Sequence, residues 1–293
     1  MKISVVGASG YIGRALSAAL IAAGHTVSGV VRPGSEGKLP AGAHAVHGDV
    51  SDPASLANAA READAVVYAV QYNGADAFEV ESAALKALAG ALGSGEKTLV
   101  YTSGIWLYGS NYPAVADETA PHDPPPIVGK RAELEAIVFD AGLRGIVIRP
   151  GCVYGAGGGI PAMWAQSART EGAARMVGDG SNHWIMVHLD DLATLYVHAI
   201  EQAPPKGDVY NASDDTRLTV REMAQAASRG QGKDGAVIAW PAAEARAALG
   251  TAFADALLLD QAATSAKARR DLGWHPRSTT AADDLQGGSY VGG

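Results

Sequence analysis

The chain has 293 residues, a formal net charge of −8 and one cysteine, with 47 % hydrophobic and 18 % charged residues. That length holds one large or two modest domains, and the acidic balance excludes nucleic acid as the main partner. A lone cysteine excludes an internal disulfide, no apolar run reaches the roughly 18 residues of a membrane span, and the fold starts too early for a signal peptide, so a cytoplasmic location is expected.

Ile3, Val5 and Val6 open the chain as a short β-branched run, the pattern of a buried parallel strand. Gly7, Gly10 and Gly13 follow, and a helical pattern runs from Tyr11 to about Ala23. Strand, glycine turn and helix form the context of a dinucleotide cradle. The glycines let the backbone turn and approach a pyrophosphate, and the helix N-terminus offers it N–H groups. The spacing is GxxGxxG rather than the commoner GxGxxG. Gly7, Ser9, Gly10, Tyr11, Ile12 and Gly13 are the candidate contacts.

A second strand spans His25 to Arg32, ended by Pro33-Gly34. An NAD cradle places an acid near this strand end to bind the ribose 2′-hydroxyl. Arg32 stands there instead. Unless it is merely a solvated strand-end charge, it pairs with a 2′-phosphate, so NADP(H) is expected over NAD(H). Arg14 can reach the same region from the helix. A third strand spans Ala43 to Asp49 and a helix runs from Ser51 to Glu62, capped by Ser51 or Asp52. Asp64 to Val70 is a fourth strand, Ala77 to Leu92 a helix, Glu96 to Ser103 a fifth strand, Val128 to Ala141 a helix and Gly145 to Pro150 a sixth strand. Strands alternating with helices make a doubly wound parallel sheet, with ligands at the carboxyl ends of the strands.

Beyond Pro150 the rhythm breaks at a glycine-dense loop, Gly151 to Gly159. Helices are expected over 160–171, about 192–202, 219–229 and 263–272, and strands over 209–213 and 236–240. Thr219 and Glu222 form a capping box. Residues 1–150 are thus expected to form a Rossmann-type domain joined by a return helix at about 190–202, with 151–293 mainly a smaller substrate lobe and 287–293 frayed.

Five landmarks in order carry a resemblance to a known family: Gly7-Ala-Ser-Gly-Tyr-Ile-Gly13, Gly48-Asp49-Val50, Tyr101-Thr-Ser-Gly-Ile-Trp-Leu-Tyr-Gly109, Arg149-Pro-Gly-Cys-Val-Tyr-Gly155 and Val187-His-Leu-Asp-Asp191. Through nearly its whole length the chain resembles an extended or atypical short-chain dehydrogenase/reductase of the nucleotide-sugar epimerase/dehydratase superfamily. The resemblance implies that Asp49 and Val50 meet the adenine edge and that Ala69, Val70 and Thr102, at the ends of strands four and five, line the cofactor. It places Tyr154 and Gly155 at the nicotinamide and substrate cleft.

The chain departs from that superfamily at its chemistry. The superfamily's acid/base pair is Tyr-x-x-x-Lys, in which the ammonium lowers the phenol pKa. Lys130 stands in the expected place, but Pro126 occupies the tyrosine position within Pro124-Pro125-Pro126. The superfamily's serine position carries Gly104, with Ser103 beside it. Three readings follow. In the first, Lys130 is catalytic, as in the phenylcoumaran and pinoresinol reductase branch, with Ser103 and one of Tyr108, Tyr112, Tyr154, His122 or Asp123 as second group, and the protein reduces a carbonyl, imine or activated double bond with NADPH. In the second, the chain is a catalytically silent NADP(H)-binding regulator of the nitrogen-metabolite-repressor type. In the third, it is a nucleotide-sugar epimerase or dehydratase with a rearranged site, which the absent tyrosine disfavours. His183 stands where many sugar-nucleotide enzymes carry an arginine for the diphosphate.

Other residues have plainer roles. His183, His188, Asp190 and Asp191 match no ligand spacing, so no metal is expected. Cys152 is read as a packed thiol. Trp164, Trp184 and Trp240 either line an apolar pocket or build the smaller lobe's core. The expected partner is a small-molecule substrate, with no membrane contact; a homodimer is implied only by the family's habit.

Overall fold

The computed structural model describes residues 1–93 and 95–292. Its core is a seven-stranded sheet built from β1 (Lys2–Val6), β2 (Thr26–Val31), β3 (His44–His47), β4 (Ala65–Tyr68), β5 (Thr98–Thr102), β6 (Arg144–Pro150) and a later strand, Gly207–Ala212. The order is Gly207–Ala212, β6, β5, β4, β1, β2, β3, and every pairing is parallel. β4 and β5 are buried along their whole length, as strands covered on both faces must be.

Helices cover both faces. α1 (Tyr11–Ala22) lies on one face, and α2 (Pro53–Ala60), α3 (Ala77–Leu92) and α4 (Arg131–Phe139) lie on the other. Leu56, Leu85, Leu88, Leu134 and Val138 pack the second face against Val66, Leu99 and Val147. Asp52 caps α2, its carboxylate accepting from the Ala54 and Ser55 N–H groups.

Residues expected to form one long helix from Val128 instead form a 3-10 turn over Pro126–Val128, with α4 starting at Arg131. Pro125 is extended and Pro126 opens the 3-10 turn, as suits a residue without an N–H donor; the backbone then departs from helical geometry at Lys130, φ −103°, before α4 begins. Lys130 is consequently the residue before the first turn of α4, not a residue within it.

The remaining elements are α5 (Ala162–Glu171), α6 (Leu189–Gln202), α7 (Val220–Gly230), α8 (Ala242–Leu249), α9 (Thr251–Ala256), α10 (Ala266–Leu272) and α11 (Ala281–Gly287), with short two-stranded pairings such as Ala174–Val177 with Val237–Trp240. α6 packs on α1 through Leu192, Leu195, Tyr196 and Ile200, and α10 joins the same face through Ala268 and Leu272. Residue 150 is therefore no border of the sheet, whose last strand, 207–212, comes from the second half of the chain. The smaller lobe has its own core, in which Trp164 and Trp184 stack at 5.1 Å between centroids. Those two tryptophans are core, whereas Trp240 is half-buried beneath Arg175.

The C-terminal end is not frayed through residue 292. α11 occupies 281–287, Tyr290 is 3 % exposed, and the side chains of Arg229 in α7 and of Gln231 just past its end bond Gln286 and the Tyr290 carbonyl. Gly293 lies outside the described residues. Among the described residues, no helix is long and apolar enough to cross a membrane.

Candidate active site

The cradle forms where β1 meets α1. Gly7 has φ 88°, and a Cβ there would stand 2.7 Å from Val70 Cγ2 and 2.8 Å from the Ala69 carbonyl oxygen. A Cβ on Gly13 would stand 2.1 Å from the Gly7 carbonyl oxygen, so only glycine lets α1 sit this close to the turn. Gly10 is the N-cap of α1 and no side chain caps it, which leaves the first turn directed at the cradle. A glycine-lined turn against an uncapped helix start fits a pyrophosphate. Ser9 is half-buried beside it. Arg32 is exposed directly after β2, and Arg14 is exposed on α1. The Asp49 carboxylate accepts from the Ser51 N–H at 2.9 Å and hydroxyl at 2.6 Å, and these bonds hold its pKa below the usual range, with the Arg32 charge adding to the effect. Val50 packs at the margin of the α2–α3 core.

The cradle opens into an inner cleft of about 340 Å³ at the carboxyl ends of β4, β5 and β6. Tyr11, Ile12, Ala69, Val70, Thr102 and Ser103 line it, so the structure brings these sequence-predicted residues together. The Tyr11 hydroxyl donates to the Gly155 carbonyl at 2.7 Å, and its ring fills the space a Cβ on Gly158 would need. The Tyr290 hydroxyl in turn accepts from the Gly155 N–H and donates to the Gly158 carbonyl, so the chain's last turn braces the glycine-dense loop against the cradle. Thr102 shares a 2.6 Å hydroxyl bond with Tyr196. Ser103 is 6 % exposed, and its hydroxyl is buried with no hydrogen-bond partner. Cys152 also lines the cleft, and burial pushes its thiol up to about 12.

Arg131 is the charged side chain of this lining. Its guanidinium Nη1 donates to the Thr102 carbonyl at 3.1 Å and lies 3.4 Å from the Tyr101 hydroxyl. Lys130 turns the other way. Its ammonium sits over the Phe78 ring at 4.4 Å and 4.0 Å from Glu133, 61 % exposed, in a larger outer cleft of about 940 Å³. Four residues before Arg131 stands Ile127, so neither cation has a tyrosine at that spacing. The motif register had pointed to Lys130. No local pattern singles out Arg131: Lys130 stands before the first turn of α4 with φ −103°, and Arg131 opens that turn and lines the inner cleft.

Tyr108 is also placed away from the inner cleft. It is 3 % exposed, donates to Asn211 Oδ1 at 2.8 Å and accepts from Arg149 Nη1 at 2.8 Å, while burial raises its pKa. Arg149 makes a two-pronged bond to Glu135 at 2.9 and 2.6 Å. This cluster holds β6, α4 and the strand at 207–212 together. His122 lies tilted against Tyr108 at 5.9 Å between ring centroids, Tyr154 donates to the Thr279 carbonyl at 2.6 Å, and Tyr112 lies flat on His183 at 4.0 Å. His183 is bonded to Asp260 at 2.9 Å. Among the described residues, no group of three or more His, Cys, Asp or Glu side chains could hold a metal ion.

The family model described as NAD dependent epimerase/dehydratase family matches residues 3–213. The chain is 29 % identical over 299 residues to an uncharacterized protein of Schizosaccharomyces pombe, covering 99 % of this chain and 100 % of that one. It is 29 % identical over 250 residues to the 2-alkyl-3-oxoalkanoate reductase of Stenotrophomonas maltophilia, covering 76 % of this chain and 73 % of that one. Among solved structures, a human epimerase family protein with NADPH superposes with a TM-score of 0.77 at 23 % identity, covering 99 % of both chains.

Proposed function

The chain belongs to the NAD dependent epimerase/dehydratase family, and from that premise we propose that it is an NADPH-dependent reductase of a carbonyl, imine or activated double bond in a small molecule. The observation that carries this reading is the convergence of Ser103 and Arg131 on one cleft. Both residues line it beside the cradle, Ser103 with a buried hydroxyl that has no partner and Arg131 with a guanidinium held by a strand-end carbonyl.

NADPH, when bound, supplies the hydride. Gly7, Gly10, Gly13 and the start of α1 would hold its pyrophosphate, and Arg32 would hold the 2′-phosphate. The Ser103 hydroxyl donates to the substrate oxygen or nitrogen and so gains the partner it lacks. The Arg131 guanidinium stabilises the negative charge that develops on that atom. Pro126 and Ile127 hold no proton to deliver, so the proton that completes the reduction comes from water in the open cleft. The reductase name of the Stenotrophomonas relative and the NADPH of the human structure support this reading.

The test is oxidation of NADPH by the purified protein against ketones, imines and enones, with Ser103→Ala and Arg131→Met as controls. Turnover that survives both substitutions removes these residues from the mechanism. Tight NADPH binding with no turnover on any class would replace the reductase with a silent cofactor-binding regulator.

A further inference from the structure

The outer cleft has no role in the reaction as assigned above, although it is the larger of the two. It meets the inner cleft at Gln71, Val128 and Arg131, which line both. None of the cradle residues Gly7, Gly10, Gly13, Arg32, Asp49 or Val50 lines it, so it lies beyond the pyrophosphate and adenine positions. Its walls come from three separate segments: the loop after β4 running into α3, the turn before α4, and the α8–α9 junction of the smaller lobe.

Its lining mixes polar side chains with a set of aromatic and aliphatic ones. Tyr72, Phe78, Ile127 and Phe253 face it, and Phe253 tilts against Trp106 of the inner cleft at 6.4 Å between ring centroids. The aromatic wall is therefore continuous from the inner cleft outward. Both of its cations have protein neighbours. Lys130 lies over Phe78 and near Glu133, and Arg131 donates to Thr102. Glu81 accepts from the Tyr72 N–H at 2.7 Å, and burial raises its pKa. The lining carries two acids, Glu79 and Glu81, against two cations, Lys130 and Arg131, so it offers a diphosphate no excess of positive charge.

We propose that the outer cleft is the substrate's binding site for an apolar, aromatic-bearing body, so that the substrate is an uncharged aryl or arylalkyl ketone or enone rather than a phosphorylated sugar. This rests on the reductase reading for its reacting group, but not for its binding. The reacting carbonyl reaches Ser103 and Arg131 while the ring lies between Phe78 and Phe253. The aromatic contacts act as the specificity determinants, because burying a ring removes apolar area from water that a short ketone does not possess.

The experiment compares butan-2-one with 4-phenylbutan-2-one, which share the reacting group and differ by the ring. Ligand-observed NMR titration of the full chain saturated with NADP⁺ measures binding without turnover. The phenyl ketone is expected to bind about tenfold to a hundredfold more tightly. Phe253→Ala should bring the two ketones close to equal affinity, and Phe78→Ala, at a second wall, should narrow the gap as well. UDP-glucose should not displace the phenyl ketone. Equal binding of the two ketones to the unmodified protein, a gap untouched by both substitutions, or displacement by UDP-glucose overturns the assignment. If the binding pattern holds and NADPH reduces neither ketone, the substrate-body site stands and the reductase reading falls; the two failures are thus separable.

Discussion

The segment around α4 carries two ion pairs that differ in almost every respect. Before its first turn, Lys130 and Glu133 stand 4.0 Å apart, both more than half exposed. Farther along, Glu135 and Arg149 make a bidentate contact, each side chain 5 % exposed. Burial works against the Arg149 charge, but the Glu135 hydrogen bonds and carboxylate outweigh it and raise the Arg149 pKa. Depth, not charge type, decides what a pair does. The exposed pair is screened and worth about 0–1 kcal/mol, whereas a buried charge that loses its partner is strongly destabilising. Arg131 lies between these extremes, anchored to a strand-end carbonyl yet open to the cleft, which is the setting in which a cation acts on a ligand.

The sharpest test of this contrast is Glu135→Ala, which strands Arg149 inside the protein. It should cost about 3–5 kcal/mol of stability by denaturant unfolding. A loss under about 1 kcal/mol, as for an exposed pair, would erase the distinction. Arg131→Met addresses the intermediate case: saturated turnover should fall by about 10²–10³ with the melting temperature nearly unchanged. Arg32→Asp removes the exposed cation at the end of β2 and places a negative charge near a 2′-phosphate. The preference for NADPH over NADH, about tenfold to a hundredfold, should reverse in cofactor titrations, and equal affinities of the unmodified protein for both would refute the assignment.

Glu81 probes a carboxylate buried with weaker compensation. Its pKa is raised by burial, with the Tyr72 N–H and Arg131 opposing. The folded protein therefore holds this proton more firmly than the unfolded chain. Stability should decline as pH rises from the ordinary carboxylate range through the raised pKa. Glu81→Gln should flatten that limb of the stability–pH curve and add about 1 kcal/mol or less at neutral pH. An unchanged curve would mean that Glu81 titrates as an exposed acid. The smallest effect belongs to Lys130→Met, which should change stability by less than about 1 kcal/mol and leave turnover within about threefold. A drop of about a hundredfold would instead put the chemistry on Lys130.

The local pattern along the chain determined the parallel α/β sheet, the cradle at Gly7, Gly10 and Gly13, the Ala77–Leu92 helix and the Thr219–Glu222 capping box. Each depends on neighbours within a turn or a strand: β-branched runs, glycines that a Cβ would block, and a side chain reaching back to a nearby N–H. Two kinds of feature were decided only in three dimensions. Contacts distant in sequence joined the strand at 207–212 to β6, folded Tyr290 onto Gly155 and Gly158, and drew Tyr108 into the Arg149–Asn211 cluster instead of the cleft. Single-residue register decided the cation. Lys130 and Arg131 are adjacent and alike in charge, and a motif spacing favours the first. The backbone departs from helical geometry at Lys130, between the turn over Pro126–Val128 and α4, and in that arrangement Lys130 lies over Phe78 while Arg131 donates to Thr102.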